Sequence, residues 1–229
     1  MSDPIDRPVL SARALTRSFG STEALRGVDV DVRAGEVLAV MGPSGSGKST
    51  LLHCLAGILR PDQGEVWFES ARIDTMSERA RTELRRRRFG FVFQFGQLVP
   101  ELTAVENVAL PLLLAGVPRR GALAPARAWL ERLRLEQLEA RRPGELSGGE
   151  GQRVALARAM VAEPDVVFAD EPTGSLDSLA GELVMDLLVD NVRAEGTTVV
   201  LVTHEPRVAA YADREIIVRD GRVAMPVPL

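Results

Sequence analysis

Gly42-Pro43-Ser44-Gly45-Ser46-Gly47-Lys48-Ser49 places two glycines, a lysine and a hydroxyl at the spacing of a phosphate cradle, G-x-x-x-x-G-K-[ST]. Glycines let backbone N–H groups converge on phosphate oxygens without Cβ obstruction, and a following helix adds the positive end of its dipole. Lys48 would reach the β- and γ-phosphates, and the Ser49 hydroxyl would ligate Mg²⁺. Further along, Asp170-Glu171 closes an apolar run, Val166-Val167-Phe168-Ala169. Alternation along a strand sends these two carboxylates to opposite faces, so they divide the work. Asp170 suits the metal, and Glu171 suits a general base that polarises an attacking water. A third segment, Leu146-Ser147-Gly148-Gly149-Glu150, has the S-x-x-E spacing of a capping box at a helix start. Its two glycines each cost about 1 kcal/mol against alanine in a helix. That cost makes sense if the bare helix end must approach an anion closely.

The elements that hold these residues are equally visible. Val37-Leu38-Ala39-Val40-Met41 leads into the cradle, and a helical pattern over residues 50–59 follows it. Phe91-Val92-Phe93, Val166 to Ala169, Val199-Val200-Leu201-Val202 and Ile216-Ile217-Val218 are also continuous apolar runs. Such runs predict strands covered on both faces, as in α/β folds. Val28, Val30 and Val32 instead alternate with Asp29 and Asp31, which predicts an antiparallel, half-exposed strand. Between about residues 95 and 150 strand patterns vanish. Leu130, Leu133 and Leu138 predict helix over 126–138, so this stretch reads as a helical lobe inserted into the core.

Composition sets outer bounds. The 229 residues, 45% hydrophobic and 26% charged, suit one globular domain with a sizeable core. Lys+Arg 28 against Asp+Glu 32 leaves a net charge of −4, which gives no global reason to expect nucleic acid. The lone Cys54 excludes an intrachain disulfide. The polar segment Met1 to Arg7 lacks a signal-like core. The most apolar stretch, Val105 to Val117, is broken by Glu106, Asn107 and Pro111 and falls short of the roughly 20 residues of a spanning helix. Arg85-Arg86-Arg87-Arg88 reads as a solvated helix face, with an anionic-lipid or partner contact as the lesser reading. Leu110 to Leu114 reads as core packing before docking groove.

The order of motifs resembles the ATP-binding cassette ATPases over about residues 10–223: the cradle, Gln94, Leu146-Ser147-Gly148-Gly149, Asp170-Glu171, Ser175-Leu176-Asp177, His204. Phe91-Val92-Phe93-Gln94, Leu102-Thr103-Ala104-Val105-Glu106-Asn107-Val108 and Glu171-Pro172-Thr173-Gly174 are similar to the MacB/LolD/FtsE group, whose members serve permeases of the FtsX/MacB type. The resemblance implies an α/β P-loop NTPase fold with an antiparallel β subdomain and an inserted α-helical subdomain. It implies one ABC ATPase domain over 1–229, its core at about 1–94 and 151–229 and its helical part at about 95–150.

Roles follow by position. Phe19 would stack on adenine, and the ATP-binding set would run from Gly42 through Pro43, Ser44, Gly45, Ser46, Gly47, Lys48 and Ser49 to Thr50. Mg²⁺ would be held by Ser49, Gln94 and Asp170. Gln94 and His204 would join Glu171 in catalysis, His204 at the γ-phosphate and Gln94 at the attacking water. Leu146 to Glu150 would act in trans on ATP held by a second cassette, and Ser175-Leu176-Asp177 would communicate between the two. One departure is Glu150-Gly151, where the family has Gln and another polar residue; the capping box turns Glu150 back toward Ser147. The partners implied are a second ABC ATPase subunit, as a homodimer, and an integral membrane permease, with no nucleic acid. The place implied is the cytoplasmic face of the plasma (inner) membrane. The work implied is export, or extraction of lipoprotein, lipid or drug. A non-transporting, FtsE-like machine that regulates extracellular enzymes is the alternative. A soluble cassette protein of translation or DNA repair would carry a second cassette or a long coiled coil, and this chain has neither pattern.

Overall fold

The computed structural model describes residues 8–224, so the segments 1–7 and 225–229 lie outside it, the polar start and the tail Met225 to Leu229 included. The chain opens with β1 (Pro8–Phe19), β2 (Thr22–Arg33), β3 (Val37–Met41) and α1 (Lys48–Leu55). It continues through β4 (Gln63–Phe68), β5 (Ala71–Arg72), α2 (Glu78–Arg88) and β6 (Phe89–Phe93). Next come α3 (Ala104–Leu114), α4 (Arg119–Arg132), α5 (Gly148–Met160) and β7 (Val166–Asp170). The last elements are α6 (Ser178–Glu195), β8 (Thr198–Val202), α7 (Pro206–Ala209), β9 (Arg214–Arg219) and β10 (Arg222–Ala224). The described residues form two compact units, 8–85 with 196–224, and 86–195.

In the first unit an antiparallel sheet runs in the order β2-β1-β4-β5. Val28, Val30 and Val32 are buried while Asp29 and Asp31 are exposed, as the alternation predicts. The second sheet of this unit is parallel at its centre, with β3 between β8 and β9 and Val40 opposite both Val202 and Ile216. Val37, Leu38, Ala39 and Val40 are at most 1% exposed, and all of Thr198–Val202 is buried. Both faces are therefore covered, which is what continuous apolar runs require. Each such buried Val or Leu contributes roughly 1.5–3 kcal/mol.

In the second unit β6 and β7 pair in parallel, with Phe93 opposite Asp170. Phe168 packs against Phe89 and Phe91 at centroid separations of 5.2 and 5.6 Å. No strand is found between Phe93 and Val166 among the described residues. α3 opens on a reciprocal capping box between Thr103 and Glu106. The predicted helix over 126–138 is shorter: α4 stops at Arg132, Arg134 takes a left-handed φ of 58°, and Glu136–Leu138 is a 3₁₀ turn. The break lets Leu133 and Leu135 both be buried, which a continuous helix would not permit two residues apart.

Two further expectations give way. The run Arg85 to Arg88 is a solvated face only at exposed Arg87. Arg85 donates to the Gly57 carbonyl at 2.5 Å and to Glu78, Arg86 to the Leu114 carbonyl at 2.6 Å, and Arg88 pairs with Asp165. Bare carbonyls at helix ends attract guanidinium groups, and a charge count alone does not reveal them. Nor is Leu110 to Leu114 core. Leu110, Leu112 and Leu113 are half-buried and Leu114 is 62% exposed.

Candidate functional site

In the first unit β3 runs straight into the cradle, and α1 begins at Lys48 rather than at Thr50. Its N-cap, Gly47, has φ 106°, and a Cβ there would lie 2.3 Å from the Ala24 carbonyl oxygen. A side chain is excluded twice, by conformation and by space. A Cβ at Gly42 would fall 2.1 Å from the Val218 oxygen. Lys48, only 7% exposed, donates to the carbonyls of Gly42 and Pro43 at 2.8 and 2.9 Å. The Ser46 hydroxyl is buried without a partner, and the start of α1 has no side-chain cap and no acid in its first turn. An ammonium held by carbonyls, an uncapped helix end and an orphaned hydroxyl have no negative charge among them. This donor set fits a polyanion such as a triphosphate.

β8 is the parallel neighbour of β3, and it leads into Thr203-His204 beside the strand end that feeds the cradle. His204 is exposed there, while buried Thr203 accepts from the Glu205 N–H at 3.0 Å. Ligand sites in open α/β sheets form at such carboxyl ends. Phe19 ends β1 with 48% exposure and the Arg17 guanidinium 5.0 Å from its ring centroid. β1 is an inner strand of its sheet, and the Phe19 ring at its end is exposed rather than packed in the core.

In the second unit Gln94 follows β6 and Asp170 ends β7, so both stand at the carboxyl end of that strand pair. Strand alternation does not reach Glu171: it lies past the end of β7 with a left-handed φ of 48°. This conformation costs a non-glycine residue roughly 1–2 kcal/mol, the kind of strain that functional positions retain. The chain then turns tightly, with the Gly174 N–H on the Glu171 carbonyl at 3.1 Å. The turn brings Ser175 to Gln94, its hydroxyl donating to the Gln94 carbonyl at 2.6 Å. A Cβ on Gly174 would lie 2.9 Å from Gln94 Nε2. Asp177 accepts from the Ala180 N–H at 3.0 Å and so caps α6.

The start of α5 shows the predicted capping box. Glu150 Oε2 accepts from the Ser147 N–H and hydroxyl, both at 2.8 Å, and the Ser147 oxygen accepts from the Glu150 N–H at 3.3 Å. The hydrogen bond from the Ser147 backbone, more than any other contact, holds the Glu150 carboxyl below its usual range. The signature glycines meet a neighbour the sequence did not reveal. Cβ atoms at Gly148 and Gly149 would stand 3.3 Å from Leu176 Cδ2 and 3.2 Å from the Ala180 Cβ.

Three residues to which the motifs assign no role also hold this region. Asn107, wholly buried, accepts from the Val99 N–H and donates to the carbonyls of Val99, Leu102 and Thr103. Gln152, 2% exposed, donates to the Phe93 carbonyl at 2.8 Å, and Arg158 donates to the carbonyls of Gly96 and Gln97. Together they fix the loop after Gln94 from α3 and α5. Asn107, a buried polar residue inside the apolar stretch of α3, is the one signal that could have found them.

No group of three or more His, Cys, Asp or Glu side chains suited to a metal exists among the described residues, and no helix there is long and apolar enough to cross a membrane.

The chain is similar to known proteins along most of its length. The family described as ABC transporter matches residues 25–174. The lipoprotein-releasing system ATP-binding protein LolD 2 of Caulobacter vibrioides is 46% identical over 229 residues, covering 98% of this chain and 99% of its own. LolD of Porphyromonas gingivalis is 45% identical, covering 93% of this chain and 97% of its own. Among solved structures, the dimeric post-hydrolysis state of the ATP-binding cassette MJ0796 with ADP and Pi superposes with a TM-score of 0.85 at 38% identity, covering 94% of this chain and 97% of that one. With a phosphate cradle of this chemistry and kinship along almost its whole length, the chain belongs to the ABC transporter family, as one of its ATP-binding, ATP-hydrolysing cassettes.

Proposed function

We propose that this cassette powers a lipoprotein-releasing type of transporter from the cytoplasmic face of the inner membrane, docked on a separate integral membrane permease. The observation that carries this reading is the end-to-end 46% identity with the lipoprotein-releasing ATPase of Caulobacter vibrioides. It favours extraction over the non-transporting alternative. The 229 residues act as one cassette, with a core at about 1–94 and 151–229 and a helical part at about 95–150.

Two copies would act together, as in the dimeric cassette structures. The cradle from Gly42 to Thr50 of one copy binds the phosphates, Phe19 stacks on the adenine, and Leu146 to Glu150 of the other copy closes over the γ-phosphate. Mg²⁺ fits the donor set because this ion is usually held by one or two carboxylates plus substrate phosphates rather than by an all-protein cage. Ser49, Gln94 and Asp170 would hold it, and when bound it neutralises charge on the β- and γ-oxygens. Glu171 accepts a proton from the water that attacks the γ-phosphorus in line, while Gln94 orients that water and His204 donates a hydrogen bond to the γ-phosphate. Ser175-Leu176-Asp177 carries closure between the copies.

Reconstituted with its permease in proteoliposomes, the cassette should release a lipid-anchored protein in an ATP-dependent manner; ATP turnover without release would overturn the transport reading. Separately, Glu171→Gln should trap an ATP-dependent dimer on a sizing column and nearly abolish turnover. Wild-type hydrolysis by that variant would sink the base assignment.

A further inference from the structure

We propose that Arg17 is a positioning residue for the nucleotide: braced by Asp62, its guanidinium covers one face of the Phe19 ring and leaves the opposite face for the base. This role rests on the reading of Phe19 as the adenine platform and names what holds that platform in place. Asp62, just ahead of β4, fastens three successive residues of β1. Its N–H donates to the Thr16 carbonyl at 2.8 Å, and its carboxylate accepts from Arg17 Nη1 and from the Ser18 N–H, both at 2.7 Å. Arg17 Cζ lies over the Phe19 ring, 5.0 Å from its centroid and within cation–π range. Beyond Phe19 the chain turns at Gly20, φ 60°, and Phe19 pairs with Thr22 of β2. Backbone and ring are therefore both held at an exposed strand end.

Stability does not explain this arrangement. The Arg17 and Asp62 side chains are 27% and 41% exposed, and such open ion pairs contribute little. A phenylalanine left 48% exposed gains only part of the benefit of burial. What the ring has is a place on the hairpin that borders the phosphate cradle. Its partner Thr22 is two residues, about 7 Å of strand, from Ala24. The Ala24 carbonyl oxygen in turn lies 2.3 Å from where a Cβ on Gly47 would fall. A flat group joined to phosphates in that cradle fits the uncovered face of the ring. With Arg17 on the other face the ring is already ordered, so a base that stacks on it forfeits less of the gain to immobilising a side chain.

The test is titration of the full chain with ADP, which is not turned over, and with inorganic pyrophosphate, which has no base. Arg17→Met keeps the stem without the charge; it should weaken ADP about three- to tenfold and leave pyrophosphate within about 1.5-fold. Phe19→Leu should weaken ADP about fivefold or more. In that background Arg17→Met should add less than about 1.5-fold, because no ring remains to be held. Both variants should melt within about 4 °C of wild type. Equal loss of ADP and pyrophosphate, or the full Arg17→Met loss without the ring, would reduce Arg17 to a structural or charge effect and overturn the proposal. Unchanged ADP affinity in Arg17→Met beside a weakened Phe19→Leu would overturn the proposal alone. Wild-type affinity in Phe19→Leu would overturn the adenine reading along with it.

Discussion

Replacing Gly174 by alanine tests whether the position of Gln94 controls hydrolysis. The added Cβ would stand 2.9 Å from Gln94 Nε2, 3.3 Å from its Cδ and 3.5 Å from its Cγ. Unstrained contacts between such atoms lie at about 3.5–4.0 Å, so the amide must retreat by about 0.6–1 Å. The backbone cannot easily follow, because Ser175 holds the Gln94 carbonyl at 2.6 Å and Gln152 holds that of Phe93 at 2.8 Å. Gly174 is not among the positive-φ glycines, so alanine introduces no conformational strain of its own. Since the atom displaced is the end of a flexible side chain, stability should fall by only about 0.5–1.5 kcal/mol, the cost of one off-rotamer torsion. Misplacing a positioning group by about 1 Å can cost on the order of 100-fold in rate. The expectation is therefore a kcat 10- to 100-fold lower, about 1.4–2.8 kcal/mol of barrier, with KM for ATP within about threefold. The melting temperature should drop by only a few degrees, about 1–6. Steady-state ATPase assays on wild type, Gly174→Ala, Gln94→Ala and the double variant complete the cycle. In the Gln94→Ala background the alanine should add less than about twofold. An unchanged kcat, or the same loss without the Gln94 side chain, would refute the link.

Other consequences are simpler to measure. Glu150→Gln should change the ATPase rate by less than about tenfold, roughly 1.4 kcal/mol, because the Gln carbonyl can still accept from Ser147; a far larger loss would place Glu150 at the nucleotide. Glu78, hydrogen-bonded first by Arg85 and then by Arg81, has its carboxyl pulled down from 4.5 to about 2. Its stabilisation is therefore complete above pH 4.5 and is lost as pH falls toward 2, so Glu78→Gln should flatten acid unfolding by circular dichroism in that window. Burial pushes the Cys54 thiol up to about 12, so alkylation near pH 8 should proceed only through unfolding and accelerate in step with denaturant. Gly47→Ala should cost about 3 kcal/mol or more and abolish ATP binding, read by thermal melts and nucleotide titration.

The parallel strands were legible because burial on both faces leaves only apolar residues to write. The run Val37 to Met41 matches β3 at both ends. β4 was not legible. Its burial alternates weakly from Gln63 to Phe68, and its place beside β1 is set by long-range pairing such as Ala12 with Val66. The over-long helix at 126–138 failed for a related reason. Leucine spacing was approximately helical, but the break at Arg134 depends on which residues the neighbouring helices bury. The arginine run failed differently: formal charge says nothing about carbonyls that lie elsewhere in the chain, and those of Gly57 and Leu114 are what Arg85 and Arg86 meet.

The candidate site shows where local and distant causes part. Everything needed for the phosphate cradle is written within nine consecutive residues, so motif and geometry coincide there. The glycines of the signature are a harder case. Sequence alone presents them as a helix weakness in need of an anion, yet Leu176 and Ala180 already press on the positions a Cβ would take. Contacts of 3.2–3.3 Å are tight but could be relieved by shifts of a few tenths of an ångström, so packing favours glycine there without requiring it. The remaining pressure must come from outside this contact. Gly148 is exposed, and the capping box turns the Glu150 carboxylate back onto Ser147. A helix start with no side chains at its first two positions, and exposed at Gly148, lets an anion brought by another molecule approach closely. That is the physical reason to expect the second half of each site from a second copy of the chain.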